Sequence, residues 1–120
     1  MTKLEIDYKF PSLNEYVNEN RKNAYAGAKM KKDIQSDIGW YINKLPYFDK
    51  PITIHFHWIE GNKRRDLDNI CAAKKFILDT MVACHKLKDD NRNCVTAFTD
   101  TFGYGEEWKV ILEIEEVEEL

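Results

Sequence analysis

The sequence lacks the features that define several large classes of protein. No apolar run approaches the roughly 20 residues of a membrane-spanning helix, and the opening MTKLEIDYKF has no signal-peptide hydrophobic stretch. Its three cysteines are an odd number without a Cys-x-x-Cys pair, which argues for reduced thiols and a cytoplasmic protein. Cys71, Cys84 and Cys94 lie 13 and 10 residues apart, so they complete no recognisable zinc spacing with the His55-x-His57 pair. There is no glycine-rich phosphate loop and no serine or cysteine nucleophile motif. Repeats, linkers and low-complexity stretches are also missing.

What remains is a chain of 120 residues, 43% hydrophobic and 32% charged. That is the size and composition of one globular domain with a real core. Its net charge of −3 is unevenly spread, because Glu113, Glu115, Glu116, Glu118 and Glu119 crowd the last eight residues. Removing those five takes the net from −3 to +2. Residues 61–75 carry Lys63, Arg64, Arg65, Lys74 and Lys75 against Asp66 and Asp68, a local excess of +3 compatible with phosphate binding.

Periodicity predicts the elements. Leu4, Ile6, Tyr8 and Phe10 alternate with charged residues as in a half-buried first strand. Pro11 ends it, and Ser12 with Glu15 forms a capping-box signature for a short helix. A longer helix covers 26–44, with Ile34, Ile38, Tyr41, Ile42 and Leu45 on one face. Residues 52–59, ITIHFHWI, read as the clearest strand, with Ile52, Ile54, Phe56 and Trp58 on one side. Ile70, Ala73, Ile77, Met81 and Cys84 recur at helical spacing over 69–84. Residues 94–102 form a third strand. Trp108, Val110, Leu112 and Ile114 mark a fourth, with Gly103 and Gly105 expected in a hairpin between the two. The order β-α-α-β-α-β-β predicts an α+β single domain, a mixed four-stranded sheet with helices mainly on one face.

The chemistry concentrates in KRRDLDNI, residues 63–70, where the clearest strand gives way to a helix. In an extended segment Asp66 and Asp68 point the same way, and Mg²⁺ commonly takes one or two carboxylates with phosphate oxygens and waters. Asp89 and Asp90 follow in the polar stretch HKLKDDNRN. Each has an ordinary structural alternative: Asp68 as the N-cap of a helix starting at Asn69, the aspartate pair as a solvated turn, Lys75 and Asp79 as an exposed ion pair, and residues 63–65 as solubilising surface.

Taken together, FPSLNEY (10–16), RRDLDNI (64–70), KKFILD (74–79) and LKDDN (87–91) resemble the RusA family of Holliday junction resolvases over most of the chain. The resemblance implies a Mg²⁺-dependent homodimer that cuts two opposed strands of four-way junction DNA. It assigns the metal-binding catalytic aspartates to Asp66, Asp68 and Asp90. It also implies a lysine four residues beyond the second aspartate, but Ala72 stands there. Counting back from Asp79 puts that lysine at Lys75, with Lys74 the competitor, projecting toward Ile70, Ile77 and Met81 and expected to be less exposed. Lys63, Arg64, Arg65, Lys74, Asn69 and Asn14 are the expected DNA contacts. The rival functions are an inactive junction-binding protein of prophage origin, a general branched-DNA nuclease, and a protein-binding α+β module.

Overall fold

The computed structural model describes residues 1–118; Glu119 of the acidic run lies outside them. Strand β1, Thr2–Ile6, pairs antiparallel with the last strand, from Thr2 opposite Ile114 to Ile6 opposite Val110. It is shorter than the alternation suggests, because pairing stops at Ile6. Tyr8 and Phe10 continue as a packed loop, edge to face at 4.9 Å, and Phe10 also meets Trp58 at 6.2 Å.

The capping box forms as its sequence predicts. Glu15 N donates to Ser12 Oγ at 3.1 Å and Ser12 N donates to Glu15 Oε1 at 3.4 Å, starting α1, Leu13–Lys22. Asn23 ends α1 and caps the next helix by accepting from Ala26 N at 2.7 Å. Helix α2, Ala24–Ile42, buries Ile34, Ile38 and Ile42 along one face.

Strand β2, Ile52–Glu60, has the strictest alternation in the chain. Ile52, Ile54, Phe56 and Trp58 are buried beneath the helices, whereas Thr53, His55, His57 and Ile59 on the other face are half-buried. There His55 and His57 share hydrogen bonds with Thr99 and Thr101. Burial of each large apolar side chain contributes about 1.5–3 kcal/mol, so this one strand face anchors the domain.

The helix expected over 69–84 is interrupted. It divides into α3, Leu67–Cys71, and α4, Lys74–Ala83. No glycine or proline causes the break. Across Ala72 and Ala73 the backbone takes bonds of three-residue span, Ala73 N to Ile70 O and Phe76 N to Ala73 O, while Ala73 itself is buried. Helix α4 closes at His85, whose φ of 59° is left-handed. His85 N bonds Val82 O and Lys86 N bonds Met81 O, the two bonds of a Schellman motif, with histidine where glycine is usual.

Strands β3, Val95–Tyr104, and β4, Lys109–Glu116, complete a sheet ordered β1-β4-β2-β3. The expected hairpin is not present. Strand β3 pairs parallel with β2, and β4 lies antiparallel between β2 and β1. The segment with Gly103 and Gly105 therefore crosses the end of β2, where Gly105 N bonds Glu60 O at 2.9 Å. Burial explains the order: Val110, Leu112 and Ile114 of β4 need covering on both sides, whereas most of β3 is exposed and suits an edge.

Candidate functional site

Residues 61–66 leave the end of β2 and run into α3. Asp66 takes the N-cap position through its backbone: its carbonyl accepts from Asn69 N at 3.0 Å and Ile70 N at 3.2 Å. Its carboxylate makes no capping bond. The helix thus starts two residues earlier than expected, and Asp68 lies in its first turn rather than at its cap. The two carboxylates project from a helix start, not from one side of an extended segment. Both are exposed, and neither forms an ion pair or side-chain hydrogen bond among the described residues. Lys63 and Arg64 beside them are also exposed and without a carboxylate partner among those residues.

Arg65 differs from its neighbours. Its Nε donates to Glu60 Oε1 at 2.7 Å, Nη2 to Glu60 Oε2 at 2.9 Å, and Nη1 to the Phe10 carbonyl at 2.8 Å. The guanidinium also lies 5.1 Å from the Trp108 ring centre. A bidentate fork of this kind fixes direction as well as charge. Arg65 therefore ties the end of β2 to the segment before α1 and orients the chain that carries Asp66; it is committed inside the fold. A signal for it exists in the sequence: Glu60 continues the Ile52, Ile54, Phe56, Trp58 series, so a charge falls on the buried face and needs a partner.

Lys74 is similarly committed. Its Nζ meets Asp100 Oδ2 at 2.7 Å, and Trp58 Nε1 donates to Asp100 Oδ1 at 2.9 Å. The ammonium sits 4.9 Å from the Phe98 ring centre and 5.5 Å from that of Phe56. Lys75 is the exposed one, at 65% against 20% for Lys74. It bridges Asp79 Oδ1 at 3.0 Å and Asp90 Oδ2 at 3.2 Å. Hydrogen bonds to Asp79 first, then Asp90, hold its pKa above the ordinary lysine value, so it stays a cation at neutral pH. Asp79 Oδ2 faces Lys31 of α2 at 2.9 Å, an ion pair without hydrogen-bond alignment. Asp89 supports this end of the chain by accepting from Asp90 N at 2.7 Å and Asn91 Nδ2 at 3.1 Å.

Two further expected residues meet directly: Asn69 Oδ1 accepts from Asn14 N at 3.1 Å, joining α3 to the first turn of α1. The break at Ala72–Ala73 falls within the stretch where Lys75 is displaced by about one turn from the spacing of the resembled motif. The structure thus brings together Lys75 with Asp90 and Asn69 with Asn14. It does not gather Asp66, Asp68 and Asp90 into one cage: among the described residues no three His, Cys, Asp or Glu side chains converge as a metal site.

Two concavities differ in their relation to these residues. A groove of about 420 Å³ lies beside Asp66, lined by Lys63, Arg65, Leu67, Ile70, Phe102 and Tyr104 among others. A cleft of about 610 Å³ lies between α1, α2 and the segment 8–11, and includes none of Asp66, Asp68, Lys75 or Asp90. The smaller groove is lined by Lys63, Arg65 and Leu67, the residues around Asp66 in the chain, which makes it the more relevant of the two. No helix among the described residues is long and apolar enough to cross a membrane, and all three cysteines are free thiols.

No protein-family model matches this sequence, and no curated protein matches it.

Proposed function

We propose that this protein is a Mg²⁺-dependent, structure-specific endodeoxyribonuclease that resolves four-way DNA junctions by paired cuts, acting in the cytoplasm as a homodimer. One observation carries most weight. Asp66 and Asp68 stand exposed and, among the described residues, unpartnered beside Lys63 and Arg64, on a chain segment that Arg65 and Glu60 tie to the end of β2. Exposed paired acids without local partners are poor stabilisers of a fold but suitable ligands for a hard cation, and adjacent cations suit the phosphate that shares it.

Exposed carboxylates are the oxygen donors that Mg²⁺ takes, one or two at a time with phosphate oxygens and waters. Asp66 and Asp68 would hold it, while Asp90 is engaged by Lys75. When bound, Mg²⁺ supplies polarisation of a phosphoryl oxygen and neutralisation of charge developing in the displacement. The protein's own residues do the rest. Lys63 and Arg64 draw in and orient the phosphodiester backbone. Lys75, kept protonated by Asp79 and Asp90, offers a cation toward the extra negative charge of the transition state. Asn69 holds α3 against α1 through Asn14, and so fixes the turn that carries Asp68. A twofold dimer would supply the second site that opposed cuts require.

Asp66→Asn and Asp68→Asn should each abolish cleavage while junction binding in a gel shift is kept or strengthened, because each removes a negative charge facing phosphate. Cleavage retained in both variants would refute the assignment. The inactive junction-binding alternative is supported by the displaced Lys75; it predicts junction binding with no cutting by the unmodified protein.

A further inference from the structure

Leu67 stands between the two exposed aspartates and is 56% exposed; Tyr104, at the end of β3, is 60% exposed. Neither contributes to the core, which at this end takes Ile70 and Phe102 instead. Leu67 and Tyr104 line the groove of about 420 Å³ beside Asp66, with Ile70 and Phe102 also in its lining. Lys63 Nζ lies 4.4 Å from the Tyr104 ring centre, and Arg64 is exposed next to it in sequence.

The groove thus combines two chemistries. One is an exposed aromatic ring, with Lys63 Nζ over one of its faces, beside an exposed aliphatic side chain. The other is the ammonium of Lys63, which has no carboxylate partner among the described residues, with the exposed Arg64 following it in sequence. A ligand complementary to both has a flat π-system joined to a negative charge, and a nucleotide unit has that form. An acidic peptide would answer the cations alone and leave the ring and leucine unused.

We infer that this groove receives an unpaired nucleobase, stacked on Tyr104 beside Leu67, with its phosphate toward Lys63 and Arg64. The inference rests on the nuclease reading and adds the means by which branched DNA is told from plain duplex. Extracting a base costs unstacking as well as unpairing, and at a branch point, where continuous stacking is already interrupted, the cost is lower than within an unbroken duplex. Stacking is sequence-tolerant, since every base has a π-face. The groove would therefore select structure rather than sequence.

The test is binding of a fluorescent four-way junction and a duplex of the same arm sequence, measured in EDTA across a salt series. The proteins compared are wild type, Tyr104→Ala, Tyr104→Phe and Leu67→Ala. Tyr104→Ala should weaken junction binding roughly 5- to 150-fold, the range of one lost base stack, and Leu67→Ala should weaken it less. Tyr104→Phe, which keeps the ring, should stay within about twofold of wild type. Duplex binding should change little, and the slope of log K against log salt should be unchanged, because no phosphate contact is removed.

Thermal melts check that the variants fold, which their exposure favours. Equal loss on junction and duplex, or a slope reduced by about 0.9, would overturn the inference: Tyr104 would then act only by holding Lys63 at a phosphate. Unchanged junction binding by Tyr104→Ala, with loss of self-association, would also overturn it in favour of a protein contact. If wild type binds neither DNA, the nuclease reading fails and the groove inference falls with it, a result unlike failure of the variant alone.

Discussion

Replacing Arg65 by alanine should unfold the protein more than it weakens any DNA contact. The side chains of Arg65 and Glu60 are 15% and 10% exposed, and three charge-assisted hydrogen bonds converge on the guanidinium. Removing one partner of a buried pair strands the other charge and typically costs 3–5 kcal/mol. Neither group here is fully buried, which places the expected loss near the low end, about 3 kcal/mol. For a domain of this length that lowers Tm by roughly 10 °C.

Urea or thermal denaturation of Arg65→Ala, Glu60→Ala and the double variant gives the coupling between the two side chains. It should be about 2 kcal/mol, with the double variant less destabilised than the sum of the singles. Arg65→Met with Glu60→Leu should recover part of the stability, since both charges leave together. Salt should affect the loss only weakly, because a buried pair is poorly screened. The reasoning is refuted if Arg65→Ala melts within about 0.5 kcal/mol of wild type while its DNA-binding salt slope falls by about 0.9, the signature of a phosphate contact.

Lys63→Ala and Arg64→Ala should behave in the opposite way, leaving Tm nearly unchanged and each reducing the salt slope of junction binding by about 0.9; an unchanged slope in the double variant would mark them as solvated surface. His85→Gly should raise stability by about 0.5–1 kcal/mol in urea melts, because glycine holds the left-handed φ at the end of α4 without strain; a loss of stability would mean that the imidazole makes a compensating contact. Light scattering should report a mass near twice 14.2 kDa for the free protein and two chains per junction on DNA, and a single chain per junction would contradict paired cutting by a twofold assembly.

Local signals in the sequence translate into structure where they are complete within a few residues. Ser12 and Glu15 specify a cap that forms, and the alternation through Ile52 to Trp58 specifies a strand that forms with the expected face buried. The greater exposure of Lys75 over Lys74 follows from helical spacing alone. What escapes a linear reading depends on partners distant in the chain. Gly103 and Gly105 look like hairpin residues, but β4 pairs with β2 and β1, strands some 50 and 100 residues earlier, and only burial of Val110, Leu112 and Ile114 decides that order.

The break at Ala72–Ala73 has no glycine or proline to announce it, since alanine is a good helix former. Arg65 and Arg64 are indistinguishable as letters. They separate only because Glu60 and the Phe10 carbonyl meet one guanidinium and not the other. Lys74 likewise becomes a structural cation only once Asp100, 26 residues away, arrives beside Trp58. Asp66, Asp68 and Asp90 share a motif on paper, but the folded chain places Asp90 with Lys75 and leaves the other two at the start of α3.

The most direct test of the central claim is a denaturing gel of a synthetic four-way junction, each strand end-labelled in turn, incubated with wild-type protein and Mg²⁺ and, in parallel, with Asp68→Asn. The account predicts paired, symmetry-related nicks in two opposed strands for wild type, none without Mg²⁺, and none for Asp68→Asn even though it still shifts the junction in a native gel. Equal cutting by both proteins, or no cutting by wild type on a junction it binds, would contradict it.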